Sequence, residues 1–146
     1  MKINKTALFS FLVISFHLIG FYGFINPDLI ELTKKLVPVH LLAMLAIVLI
    51  SHPGKKNNDF WRFVGITYLL GYVVELLGVQ TGYIFGNFAF DSTLGFKMVG
   101  VPLIIGVNWI VLIFAAGCFV RNFGIKNRSA RAAVGAFLIA CLDFLI

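Results

Sequence analysis

Apolar residues fall into five long runs, set apart by short polar breaks. They cover Thr6 to Ile25, Leu36 to Ser51, Phe63 to Val79, Met98 to Val120, and Ala132 to Ile146. A helix needs roughly 20 apolar residues, within about 17–25, to cross a bilayer. Each run meets or approaches that length, none alternates, and all are far longer than a barrel strand. The pattern predicts an all-α protein: a polytopic transmembrane bundle of about five spanning helices forming one transmembrane domain over residues 1–146. The breaks carry stop signals, Asn26-Pro27 after the first run and His52-Pro53-Gly54 after the second. The first run is too long for a signal-peptide core, and no small-residue cleavage site precedes Pro27, so it reads as a retained helix. The fifth is still apolar at Ile146, which predicts a helix that continues past this sequence.

Composition supports lipid as the solvent. The chain is 60% hydrophobic and only 12% charged, against about 25% charged in a soluble domain. The net charge of +6 does not point to nucleic acid, because the basic residues sit in short loops between apolar runs. Nine of the twelve fall on one side: Lys2 and Lys5, then Lys55, Lys56 and Arg62, then Arg121, Lys126, Arg128 and Arg131. Lys34, Lys35 and Lys97 fall on the other. The positive-inside rule then makes the N-terminus cytoplasmic in a multi-pass inner-membrane protein. The long non-apolar segment, Gln80 to Lys97, lies on the outer side. Its glycines and aromatics fit a re-entrant or interfacial loop, or an aromatic belt.

Ionisable groups inside a bilayer are costly and often mark function. Glu75 shares a helical stripe with Gly71, Gly78 and Gly82, where small residues let a neighbouring helix approach. Tyr72 and Tyr68 lie one and two turns away, within hydrogen-bonding reach. Asp143 follows Ala136 and Ala140 on a similar stripe, about 16 Å into the fifth run at roughly 1.5 Å per residue. Burial would hold it protonated, as a general acid requires. Each carboxylate has a plainer reading as a pin between helices. Asp91 is a weaker, loop-borne third candidate.

His17 and His40 lie within the first two runs, and lone membrane histidines more often bond helices together than catalyse. Only His52 adds to them, too few ligands for a di-iron oxygenase, and no metal site is expected. Cys118 and Cys141 read as packing. No phosphate-binding glycine motif is present. Trp109, beside Asn108, shares a stripe with Pro102 and Gly106. It suits an apolar ligand groove, or a cation held over its ring, although such a Trp more often simply packs.

The stretch Glu75-Leu-Leu-Gly-Val-Gln-Thr-Gly82, with Phe85-Gly86, Leu94-Gly95, Gly100-Val-Pro102 and Asn108-Trp109, resembles the CruF-like carotenoid biosynthesis membrane proteins. It spans about a quarter of the chain. The resemblance implies a carotenoid 1,2-hydratase, which adds water to the terminal double bond of an acyclic carotenoid end group without a cofactor. Where the family often has tyrosines after Phe-Gly, this chain has Phe88 and Phe90. Asp143 matches an aspartate that the family follows with Glu-Pro four residues on. The expected catalytic residues are Glu75, Asp143 and Asp91. The expected substrate-binding residues are Trp109, Asn108, Tyr72, Phe85 and His40. The expected partners are a hydrophobic carotenoid, membrane lipid and other carotenoid-pathway enzymes. A non-catalytic carotenoid or lipid binder and a small proton-coupled transporter are the rival classes.

Overall fold

A computed structural model describes residues 5–143, and for Asp143 the backbone alone. Five α-helices carry the fold: α1 (Lys5–Ile25), α2 (Ile30–Ser51), α3 (Asn58–Thr81), α4 (Ile104–Arg121) and α5 (Arg128–Asp143). Between α3 and α4 lie a short 3-10 turn (Ser92–Leu94) and a two-stranded antiparallel hairpin, β1 (Lys97–Met98) and β2 (Val101–Pro102). Helices α1 to α4 are each long and apolar enough to cross a membrane. Helix α5, with 16 described residues, is shorter than such a span. The protein is a multi-pass helical membrane protein. Its large apolar side chains face outward, Phe11 and Ile19 being 66% and 68% exposed, as lipid-facing helices require.

The helices overrun the apolar runs at their polar ends. Helix α2 begins at Ile30, not Leu36, and its added turn holds an ion pair between Lys34 and Glu31 at 2.8 Å. Apolar runs mark the hydrocarbon only, whereas a charged turn continues the helix into the interface. Pro38 sits inside α2, a placement that membrane helices tolerate. Side-chain caps set two other starts: Asn57 accepts from the Phe60 amide at 3.0 Å, and Asn127 accepts from the amides of Ser129 and Ala130. Helix α3 closes on Gly82, at φ 67°, whose amide donates to the Gly78 carbonyl. Such a left-handed cap favours glycine.

The fourth apolar run does not form one helix. Residues 98–102 belong to the hairpin, and α4 begins only at Ile104. Pro102 biases Val101 toward extended backbone. Val99 and Gly100 form the two-residue turn, both with positive φ, 53° and 86°, as a type I′ hairpin turn requires. A β-branched residue there is strained, and Gln80 Nε2 steadies it by donating to the Val99 carbonyl at 3.0 Å.

This hairpin re-enters alongside α3. Tyr72 lies nine residues before Thr81, about 13 Å along the axis at roughly 1.5 Å per residue. Its hydroxyl donates to the Met98 carbonyl at 2.7 Å and lies 3.3 Å from that of Val101. Tyr68, a further turn along, donates to the Leu103 carbonyl at 2.8 Å. Helical side chains lean toward the N-terminus, so neither ring climbs toward the α3 end. Non-helical backbone at membrane depth persists only where protein satisfies its polar groups, and the two tyrosines do so. The sequence places them within reach of Glu75; the structure aims them at the hairpin instead.

The core gathers here. Tyr72, Val101 and Ile105 are buried, with Leu76, Val79, Phe90, Leu94 and Trp109 packed around them. Helix α4 is central, packing against α2, α3 and α5, while α1 packs on α2. Gly23 of α1 meets Thr33 of α2 with no room for a side chain.

Candidate functional site

Two glycine–aromatic contacts join α3 to α4. The Tyr68 ring of α3 lies on Gly106 of α4, and the Trp109 side chain of α4 lies on Gly71 of α3. A Cβ at either glycine would collide with the opposing ring. This reciprocal fit brings the helices close enough for the Trp109 indole N–H to donate to Glu75 Oε1 at 3.0 Å. Both residues are half-buried. The geometry is a carboxylate held by an aromatic N–H, beside an indole face, between two membrane helices. One wall is the Tyr72–Val101–Ile105 cluster.

The rest of the glycine stripe does other work. Gly78 receives the Phe85 ring from the loop rather than a neighbouring helix, and Gly82 ends α3. Phe85 therefore closes over α3 one turn beyond Glu75. Phe88 extends that aromatic chain, its ring 6.0 Å from Phe85 and 5.2 Å from Phe90. Pro102 lies in β2 and so leaves the expected α4 stripe with Gly106 and Trp109. Asn108 is half-buried on α4 beside Trp109.

Other candidates lie apart. The His40 ring packs against α1, 4.9 Å from His17 and 6.2 Å from Phe16 between centroids. His17 Nδ1 is 2.8 Å from the Val13 carbonyl of its own helix. Asp91 is exposed in the loop and caps the 3-10 turn. The Ser92 amide, then the Ser92 hydroxyl, holds its carboxyl below the usual range; the Thr93 hydroxyl and the Lys34 charge add less, and slight desolvation opposes them. Asp91 is thus a carboxylate at neutral pH, and a poor proton donor.

Asp143 ends α5, in helical register with Ala136 and Ala140, and its side chain lies outside the described residues. Both alanines are exposed, so that face is not the one turned to α4. Helix α5 meets α4 along Leu138, Cys141 and Leu142, which line an apolar groove with Leu112 and Ala116. Of the two small-residue stripes, the one bearing Glu75 thus meets a neighbouring helix, α4, at Gly71. No group of three or more His, Cys, Asp or Glu residues that could hold a metal occurs among the described residues.

Sequence reasoning missed the hairpin. Its signal was Val99-Gly100 before Val-Pro, inside a run that read as one helix. It also missed the Tyr68–Gly106 contact, which mirrors Trp109 on Gly71 and shows only once α3 and α4 are docked.

No curated protein and no solved structure matches this chain. The family model described as carotenoid biosynthesis protein matches residues 36–146, which takes in α3, the re-entrant hairpin, α4 and the Glu75–Trp109 pair. By that match, the chain belongs to the carotenoid biosynthesis protein family.

Proposed function

We propose that the protein hydrates the terminal double bond of an acyclic carotenoid end group. The observation that carries this reading is the Glu75–Trp109 pair, a carboxylate and an indole joined across α3 and α4 at 3.0 Å inside the family match. The substrate is a long hydrocarbon already dissolved in the bilayer, so a site between membrane helices is the one it can reach. Hydration is redox-neutral. A proton adds to the less substituted alkene carbon, the tertiary cation that forms captures water, and the resulting oxonium loses a proton.

The reaction needs a proton donor, shielding for a cation and an orienting base. The indole face of Trp109 suits the cation. Glu75, oriented by the indole N–H, suits the base that positions the water and takes its proton. Asp143, at the end of the α5 helix that packs on α4, is assigned the acid, since a carboxyl group can supply the proton that the alkene takes up. Phe85 and Tyr72 shape the apolar surroundings, and Asn108 is the neighbour of Trp109 on α4.

Expression in a lycopene-producing host tests the reaction. Hydroxylated lycopene is the expected product; unchanged pigment with the protein correctly inserted would refute the reading.

We also propose that the face bearing the α2–α3 and α4–α5 turns is cytoplasmic, since most Lys and Arg residues lie there. A cysteine introduced as Lys56→Cys should stay unlabelled by an impermeant thiol reagent in intact cells and react after lysis. Labelling of intact cells would reverse the orientation.

A further inference from the structure

A second cleft lies far from Glu75, at the basic face, where α1, the C-terminal end of α2 and the later part of α4 meet. Its volume is about 730 Å³, within the range of ligand sites. Lys5 opens its rim, with the hydroxyls of Ser10 and Ser51 and the imidazole of His52 along the wall. Among the described residues, no acidic one lines it. Below the rim the lining turns apolar and reaches Ile14, nine residues or about 13 Å along α1 from Lys5.

His52 is held in place. Its ring stacks on Phe60 at 4.7 Å and meets Phe114 edge-on at 5.4 Å. Its backbone amide donates to the Val48 carbonyl at 3.2 Å. All of α1 lies outside the family match, which begins at residue 36.

We infer that this cleft binds an anionic phospholipid of the adjoining leaflet. Lys5, Ser10 and His52 take the phosphate, and an acyl chain runs along the apolar wall toward Ile14. The Lys5 ammonium, the Ser10 hydroxyl and an imidazole N–H are donors and the charge is positive, which complements a phosphodiester anion; the Ser51 hydroxyl beside them donates to the Val48 carbonyl. The polar end lies at the end of the membrane helices and the apolar end points inward, which matches the polarity of a lipid standing in its leaflet.

Native mass spectrometry of the detergent-purified protein, offered equal phosphatidylglycerol and phosphatidylcholine, tests this. The expected result is preferential phosphatidylglycerol binding, with the preference falling about five-fold in Lys5→Gln, the worth of one cation near a lipid phosphate. Lys56→Gln, outside the cleft, should retain it. Ser10→Trp, which fills the cleft, should lower retention of phospholipid while helix content by circular dichroism stays constant. Equal binding of the two lipids would overturn the inference. So would an equal loss in Lys5→Gln and Lys56→Gln, which would indicate diffuse attraction. Displacement of the lipid by millimolar inorganic phosphate would reassign the cleft to a free anion, and preferential retention of geranylgeranyl diphosphate would reassign it to a prenyl diphosphate. None of these readouts depends on hydratase activity, so the inference can fail while the proposed reaction stands.

Discussion

Glu75→Gln is expected to leave unhydrated acyclic carotenoid in the host, with turnover lowered by about 10²–10⁴, the usual contribution of a positioned acid or base. The substitution isolates chemistry from folding. A glutamine keeps a side-chain oxygen that can accept from the Trp109 indole, which donates to Glu75 at 3.0 Å, so the α3–α4 contact survives. What is lost is the capacity to take and return a proton. Trp109→Phe makes the complementary change, retaining an aromatic surface but removing the N–H donor. A hydrogen bond to a charged group contributes about 1.5–3 kcal/mol, so this variant should lose activity through misplacement of the carboxylate. Pigment composition, read against membrane-inserted protein, decides the matter. Wild-type hydration by Glu75→Gln would remove Glu75 from the site while leaving the reaction open.

Gly71→Leu should part α3 from α4 and lower both thermal stability in detergent and activity. The glycine lies directly under Trp109 Cβ and Cγ, with no space for a side chain. Trp109 would have to leave its rotamer or the helices would have to separate. Overpacking of this kind costs about 1–3 kcal/mol, and more where a neighbour is rigid. Here it would also pull the indole away from Glu75. Leu70→Phe, one residue away, is the control: Leu70 is 62% exposed, and a larger apolar group there meets lipid. A melting temperature that falls equally in the two variants, or in neither, would mean that the glycine contact does not hold the helices together. Gly106→Leu, facing the Tyr68 ring, should resemble Gly71→Leu.

The helical architecture was legible because it follows from solvent alone: runs such as Thr6 to Ile25 have no other place to hide from water. The α3–α4 contact was half legible. Gly71 and Glu75 stand one turn apart, and small residues beside a membrane carboxylate announce a close neighbour, but nothing in the sequence names Trp109 as that neighbour. Gly78 and Gly82 carry the same spacing for different reasons, one to admit Phe85 and one to end the helix, and periodicity cannot tell these uses apart. The hairpin at Lys97–Pro102 was hidden by its own hydrophobicity. A re-entrant strand in an apolar setting has the composition of a helix, and what identifies it is the Tyr72 hydroxyl of α3 on its carbonyls, with that of Tyr68 on the Leu103 carbonyl just after it. His40 illustrates the converse: its chemistry suits a site, yet the fold seats it against His17 and Phe16 of α1.

The source of the product oxygen tests the hydration claim most directly. Cells or membranes making the product are supplied in parallel with oxygen-18 water under ordinary air and with oxygen-18 dioxygen in ordinary water, and the hydroxylated carotenoid is weighed by mass spectrometry. Capture of a tertiary cation by water predicts a product two mass units heavier per hydroxyl in labelled water and unlabelled under labelled dioxygen. A hydroxyl that carries its label from dioxygen would contradict the account, because no acid–base pair built on Glu75 could place it there.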